Sequence, residues 1–241
     1  VFLSIIVPAF NEERLLATSL KAIHDAAAVL TRRGWAWELI VCDNNSSDGT
    51  ARIARDAGAR VVFEAVNQIS RARNTGAAAA GGDWLLFIDA DSQPNRALFE
   101  EMAATIAAGR ILAGGATIRM EKIPWLARCG TQLWNLASRC RKLLAGSFIF
   151  VETAAFRSIG GFSEEWFAAE EIELTSRLRK LARQRGKQIV ILHRHPLTTS
   201  GRKTWLYGPW EILRLLWRAA ASGGKSLRNP QNAHLWYDGR R

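Results

Sequence analysis

The sequence predicts an α/β fold: a mostly parallel, Rossmann-like sheet with helices on both faces. Three observations carry that expectation. Apolar runs of strand length alternate with helical periodicity through the first half of the chain, which is the rhythm of βαβ units. Carboxylate-bearing loops directly follow three of those runs, at the position where open α/β sheets bind ligands. The 241 residues are 48% hydrophobic and 23% charged, which supplies one sizeable core and too little charge for a disordered chain.

Taken in order, Leu3–Val7 reads as a strand and Glu13–Arg33 as a helix, with Leu16, Leu20, Ile23 and Ala27 on one face. Leu39–Cys42 is the next strand, and Ser47 or Asp48 caps a short helix that ends near Gly58. Arg60–Phe63 is a third strand. Arg71–Ala80 is a helix stopped by Gly81 and Gly82, and Trp84–Ile88 is a fourth strand. A helix runs from about Asn95 through Ala108. Pro124–Leu144 then reads as a helix, Ser147–Val151 as a strand, Ala168–Arg185 as a helix ended by Gly186, and Gln188–Leu192 as the last strand. No repeat or low-complexity linker interrupts the chain. Residues 1–200 are therefore expected to form one domain, with 201–241 a basic, Trp- and Arg-rich extension packed on it.

Thirty-three Lys and Arg against 22 Asp and Glu give a formal charge of +11, which implies an anionic partner such as a diphosphate or an acidic lipid surface. Cys42, Cys129 and Cys140 show no metal-like spacing, so they fit a reducing compartment and buried small side chains. The opening run lacks a basic n-region and reads as a strand, and the absent initiator Met leaves room for a few preceding residues. No run approaches a membrane span. The expectation is a cytoplasmic protein whose basic surface can touch the inner membrane face.

The chemistry gathers in three loops: Pro8–Glu12, Asp43–Gly49 and Asp89–Asp91. Parallel strands would place all three on one sheet edge. Asp89 and Asp91, two apart in an extended segment, would point to the same side and offer hard oxygens to Mg²⁺ or Mn²⁺. The plainer alternative is that Asp91 helps start the helix near Asn95. Asp43 could accept from a nucleobase N–H or a ribose hydroxyl, and Asp48 reads as a cap. No GxGxxG occurs, so no dinucleotide cofactor is indicated.

These segments resemble the family 2 glycosyltransferases. SIIVPAFNEE at Ser4–Glu13 is similar to the family's opening strand and loop, and VCDNNSSDGT at Val41–Thr50 to its second. RARNTG at Arg71–Gly76 leads to Asp89-Ala90-Asp91. Gly160-Gly161-Phe162 and EEIEL at Glu170–Leu174 match the later signatures, over roughly residues 3–178. The resemblance implies a GT-A fold, an inverting transfer and a divalent metal, Mg²⁺ or Mn²⁺. It implies a nucleotide-sugar donor such as a UDP- or GDP-sugar and an acceptor hydroxyl on a saccharide, a lipid-linked group or a small molecule. Nucleotide contacts are then expected from Pro8, Ala9, Glu12, Asp43, Asn45, Arg73, Asp89 and Arg202. The chain departs from the pattern at Glu171 and Glu173, where Asp is usual. The Gln-x-x-Arg-Trp motif of processive synthases is absent, which points to single addition.

Leu174, Leu178 and Leu181 form an apolar stripe that, extended backwards, reaches Glu170 and Glu171. Glu173 falls instead with Arg177, as a solvated i,i+4 pair. Carboxylates at a helix N-terminus are favoured in their ionised form, which a general base needs, although acids also enrich first turns for no catalytic reason. Register with the family's acidic pair makes Glu171 the base and Glu170 its neighbour, an acceptor ligand. His193 and His195 are alternative late metal ligands, with His195 preferred. Arg202 and Lys203, or Tyr237–Arg241, could close on a diphosphate. The Trp/Arg mixtures at Trp125–Lys142 and Trp205–Arg218 read as amphipathic helices that line an acceptor groove, rest on an anionic membrane or pack on the domain. A retaining transferase and a sugar nucleotidyltransferase remain alternatives, though the latter would need a Gly- and Arg-rich first loop. Nucleic acid is excluded as a partner by the acidic binding edge.

Overall fold

The computed structural model describes residues 1–121, 123–167 and 169–202. The proposed helix at Trp205–Arg218, Lys203 and Tyr237–Arg241 lie outside the described residues. Among the described residues eight strands form one sheet: β1 (Phe2–Ala9), β2 (Ala36–Asp43), β3 (Arg60–Phe63), β4 (Trp84–Ile88), β5 (Ser92–Gln93), β6 (Ile111–Glu121), β7 (Phe148–Glu152) and β8 (Gln188–Ser200). Seven helices among the same residues connect them: α1 (Leu16–Arg32), α2 (Thr50–Asp56), α3 (Ile69–Ala79), α4 (Arg96–Ala107), α5 (Trp125–Arg141), α6 (Thr153–Ser158) and α7 (Glu170–Gln184).

The strand order is β3-β2-β1-β4-β7-β6-β8-β5. The β3-β2-β1-β4 half is parallel throughout, as its sequence rhythm predicts. β7 then runs antiparallel to both β4 and β6, β6 and β8 are parallel, and β5 pairs antiparallel with the end of β8. β1 and β4 are buried on both sides, hence their continuous apolar runs. On one face Leu3, Ile5 and Leu86 pack with Leu16, Leu20 and Ile23 of α1 and Phe99 and Met102 of α4. On the other, Ile6, Leu85 and Phe87 pack with Phe156, Phe162, Leu174 and Leu178 of α6, α7 and the turn between them.

Three strand features depart from the sequence expectation. β6 was not anticipated, because Gly114-Gly115 breaks its β-propensity. A side chain at Gly114 would run into the Phe150 ring of β7, so the glycine admits a large neighbour. β8 continues eight residues beyond Leu192, through Pro196, with register shifts against β6. The two-residue β5 lacks any length from which to read it. Of the three cysteines only Cys42 is buried, and Cys129 and Cys140 are exposed on α5.

Candidate active site

Because β1, β2 and β4 are parallel neighbours, Ala9, Asp43 and Ile88 finish on one edge. β7 runs the other way, so the segment leading into it arrives at that edge too, and Asp89 N–H donates to Ser147 O at 3.4 Å. β6 and β8 point in the direction of β4 and carry Ile118, Met120 and the end of β8 to the same place. The product is a cleft of about 310 Å³. Of the predicted residues, Pro8, Ala9, Glu12, Arg73, Asp89, Asp91, Glu170, Glu171 and Arg202 line it. Asp43, Asn45 and His195 do not.

The first two loops hold one another in place. Asn11 N–H donates to Ser46 Oγ at 3.0 Å, Ser47 N–H to Asn11 Oδ1 at 2.8 Å, and Glu12 N–H to Thr50 Oγ1 at 2.8 Å. Asn11 and Asn45 adopt left-handed backbone, φ 52° and 64°, a conformation that asparagine tolerates better than most residues. The N-cap position of α2 is Gly49, and Asp48, expected as the cap, lies one residue earlier and accepts from Thr50 N–H at 2.9 Å. Asp43 is buried behind the cleft and accepts from Ser46 N–H at 3.1 Å. The residue after it, Asn44, reaches the lining instead.

Asp89 and Asp91 occupy a turn closed by Ser92 N–H to Asp89 O at 3.0 Å, where an extended segment was expected. Asp91 does not start α4, because Asn95 does so by accepting from Leu98 N–H at 2.9 Å. Asp89 Oδ1 is engaged by Arg73 at 2.9 Å. Asp91 lies 3.4 Å from Thr199 Oγ1 and 3.7 Å from the Arg202 guanidinium. Arg202 also pairs with Glu12. Burial works against the charge of Arg202, and Glu12 and Asp91 restore it and raise its pKa. Among the described residues no group of three or more His, Cys, Asp or Glu gathers as a protein-only metal cage. Two cleft-facing carboxylates are nevertheless a donor set that Mg²⁺ or Mn²⁺ accepts when diphosphate oxygens complete the shell.

Arg73 forms the floor. Its side chain is 2% exposed and donates to Glu170 Oε1 at 2.5 Å, Asp89 Oδ1 at 2.9 Å and Gly146 O at 3.1 Å. Its guanidinium carbon lies 5.1 Å from the centroid of the Phe162 ring. Burial disfavours its charge, but Asp89, Glu170 and Glu171 outweigh that and hold the pKa above the ordinary arginine value. Beside it, Asn74 accepts from Phe162 N–H at 2.9 Å and donates to Phe162 O at 2.9 Å. That fixes the turn at Gly160-Gly161, whose φ angles of 79° and 72° favour glycine. Two motifs almost 90 residues apart in sequence are thus one structural unit.

The acidic pair on α7 is split by this floor. Glu170 is buried and committed to Arg73. Glu171 makes no side-chain hydrogen bond or ion pair among the described residues. Burial and the charge of Glu170 push its pKa up to about 8, against the opposing pull of Arg73. Leu174 and Leu178 are fully buried below them, as the stripe predicts. Glu173 does pair with Arg177. The pair is half-buried rather than solvated, because Arg177 also donates to Ile159 O at 2.6 Å and Gly161 O at 2.7 Å. Trp134 lines the cleft too, from the Trp125–Lys142 segment read as one that could line a groove. Sequence reading missed Gly146 and Thr199 as lining residues. Gly146 carries no motif, and Thr199 lies on the unforeseen part of β8.

Comparison with known proteins shows the family and the fold. The model for glycosyl transferase family 2 matches residues 4–146. An uncharacterized glycosyltransferase of Mycobacterium tuberculosis is 31% identical over 142 residues, 57% of this chain and 61% of that protein. The UDP-Glc:alpha-D-GlcNAc-diphosphoundecaprenol beta-1,3-glucosyltransferase of Escherichia coli is 33% identical over 92 residues, 36% of this chain and 34% of that protein. Among solved structures, S. aureus TarS in complex with UDP-GlcNAc superposes with a TM-score of 0.66 at 22% identity, covering 84% of this chain and 59% of that one. The mannosyltransferase of Pyrobaculum calidifontis, in complex with GDP-Man and Mn²⁺, does so with 0.69 at 18% identity, covering 88% and 60%. The chain thus spans about three fifths of the length of the mycobacterial relative and of the two solved structures, and about a third of the Escherichia coli protein. The superpositions show a GT-A fold, and with the family match across more than half its length the chain belongs to glycosyl transferase family 2.

Proposed function

We propose that the protein transfers a sugar from a nucleotide-diphosphate donor to an acceptor hydroxyl with inversion. The observation that carries this reading is the division of labour in one cleft: Asp89 and Asp91 on one side, and Glu171, unengaged among the described residues, on the other. The nucleotide rests against Pro8, Ala9 and Asn44, and its diphosphate lies toward Asp89, Asp91 and Arg202. Asp89 and Asp91 would hold a divalent ion, which would supply electrostatic stabilisation of the departing diphosphate. Arg73 pairs with both Asp89 and Glu170 and so fixes their positions. Glu171 takes the proton of the acceptor hydroxyl as that oxygen attacks the anomeric carbon from the face opposite the diphosphate, so the C–O bond to the diphosphate breaks as the new one forms. S. aureus TarS and the Pyrobaculum calidifontis mannosyltransferase are seen with UDP-GlcNAc and GDP-Man, which supports a UDP- or GDP-sugar as donor.

A thermal-shift series tests the donor class. UDP-sugars or GDP-sugars with Mn²⁺ should raise the melting temperature with concentration, because binding to the native state alone stabilises it. Shifts equal to those of Mn²⁺ alone across every nucleotide sugar would remove the donor assignment.

A further inference from the structure

Helix α5 is built inside out. Its buried residues are Asn135 and Ser138, both polar. Asn135 accepts from Ile118 N–H at 3.0 Å and donates to Ile118 O at 2.8 Å, so it is stitched to the edge of β6, and Ser138 Oγ donates to Leu143 O at 2.6 Å. The apolar side chains face away from the protein. Trp125 is 75% exposed, Leu126 57%, Leu133 67% and Leu136 56%, half of the large exposed hydrophobic side chains among the described residues. Trp125, Cys129, Leu133, Leu136 and Cys140 follow one another at spacings of four, four, three and four, which is a single stripe along a helix. A helix that packs on its own domain buries such a stripe; this one presents it.

The borders of the stripe say what covers it. Arg128 and Arg139 flank one side, Arg141 and Lys142 the C-terminal end, and all four are exposed. No acidic residue occurs between Glu121 and Glu152. A second copy of this helix would bring two basic rims together. Residues 203–241 carry seven Lys and Arg against two acidic residues, so they too match poorly. We infer that α5 lies on an anionic phospholipid bilayer, with its apolar stripe in the acyl boundary and its arginines among the phosphates. No described helix is long and apolar enough to cross a membrane, so the contact is a surface one. Trp134, on the inward side of the same helix, lines the cleft, so docking sets the cleft beside the lipid surface. Docking on this face requires nothing of the donor or the catalytic base.

Vesicle sedimentation with the full chain tests the assignment. The protein should pellet with phosphatidylcholine vesicles containing phosphatidylglycerol, not with phosphatidylcholine alone, and high salt should release it. The double substitution Leu133→Asp and Leu136→Asp should lower partitioning about tenfold or more, while the melting temperature and circular dichroism without vesicles stay unchanged. Partitioning that survives the double substitution would overturn the assignment, placing the contact elsewhere, residues 203–241 included. So would a fall in melting temperature or the loss of a dimer on substitution, because the stripe would then be covered by protein. Failure of the wild-type chain to pellet at low salt overturns it outright.

Discussion

Two arginines line the cleft, and each pairs with two carboxylates. Arg73 is sealed, 2% exposed, and bridges Asp89 to Glu170 with a backbone carbonyl as third acceptor. Arg202 is 18% exposed, sits near the end of the described chain, and spans Glu12 and Asp91. The first is part of the framework, because a desolvated charge needs partners inside the protein and Arg73 has two carboxylates. The second is a counter-ion within reach of solvent, able to exchange its carboxylates for an arriving anion. The contrast teaches that a positive charge lining a cleft need not be there for a ligand. Arg73 lines the cleft, yet both of its terminal nitrogens donate to the protein, so it acts as a positioning residue for Asp89 and the start of α7.

Substituting Arg73→Ala should have the largest effect. It leaves Asp89 and Glu170 without their partner, a change that typically costs about 3–5 kcal/mol, and both stability by denaturant titration and turnover should collapse. Retention of a wild-type melting temperature would mean the sealed arginine is not framework. Glu171→Gln should lower turnover by about 10²–10⁴-fold with donor binding intact. Because the pKa of Glu171 is raised to about 8, the wild-type rate should climb with pH as the carboxyl loses its proton, and the variant should lose that limb. If Glu170→Gln abolished turnover while Glu171→Gln did not, the roles within the acidic pair would be exchanged. Arg202→Ala is expected to cost less stability than Arg73→Ala and to weaken nucleoside diphosphate binding about tenfold, read by calorimetry. An unaltered affinity would make Arg202 a second structural arginine.

How much of this was legible in the sequence follows from the type of contact. The parallel half of the sheet was legible, because continuous apolar runs and periodic helices such as Leu16, Leu20 and Ile23 encode burial locally. The edge bearing Asp89, Asp91 and Glu12 followed from it. The second half was less so. β6 hides behind Gly114-Gly115, whose purpose is the Phe150 ring contributed by another strand. The extension of β8 past Leu192 runs through Pro196, a residue that normally argues against a strand. The destination of Arg73 was invisible for the same reason: its partners lie 16, 73 and 97 residues away. On α5 the periodicity was readable but its sense was not, since amphipathic spacing identifies a face without saying whether protein or another surface covers it.

The central claim is that Asp89 and Asp91 bind a nucleoside diphosphate through a divalent ion. Calorimetric titration of UDP and of GDP into the wild-type protein and Asp91→Ala, with Mn²⁺ and then with EDTA, addresses it directly. The account predicts tight binding of at least one nucleotide by the wild type in Mn²⁺, lost in EDTA and lost in Asp91→Ala, with the melting temperature of the variant preserved. Equal affinity with and without Mn²⁺, unchanged by Asp91→Ala, would contradict it.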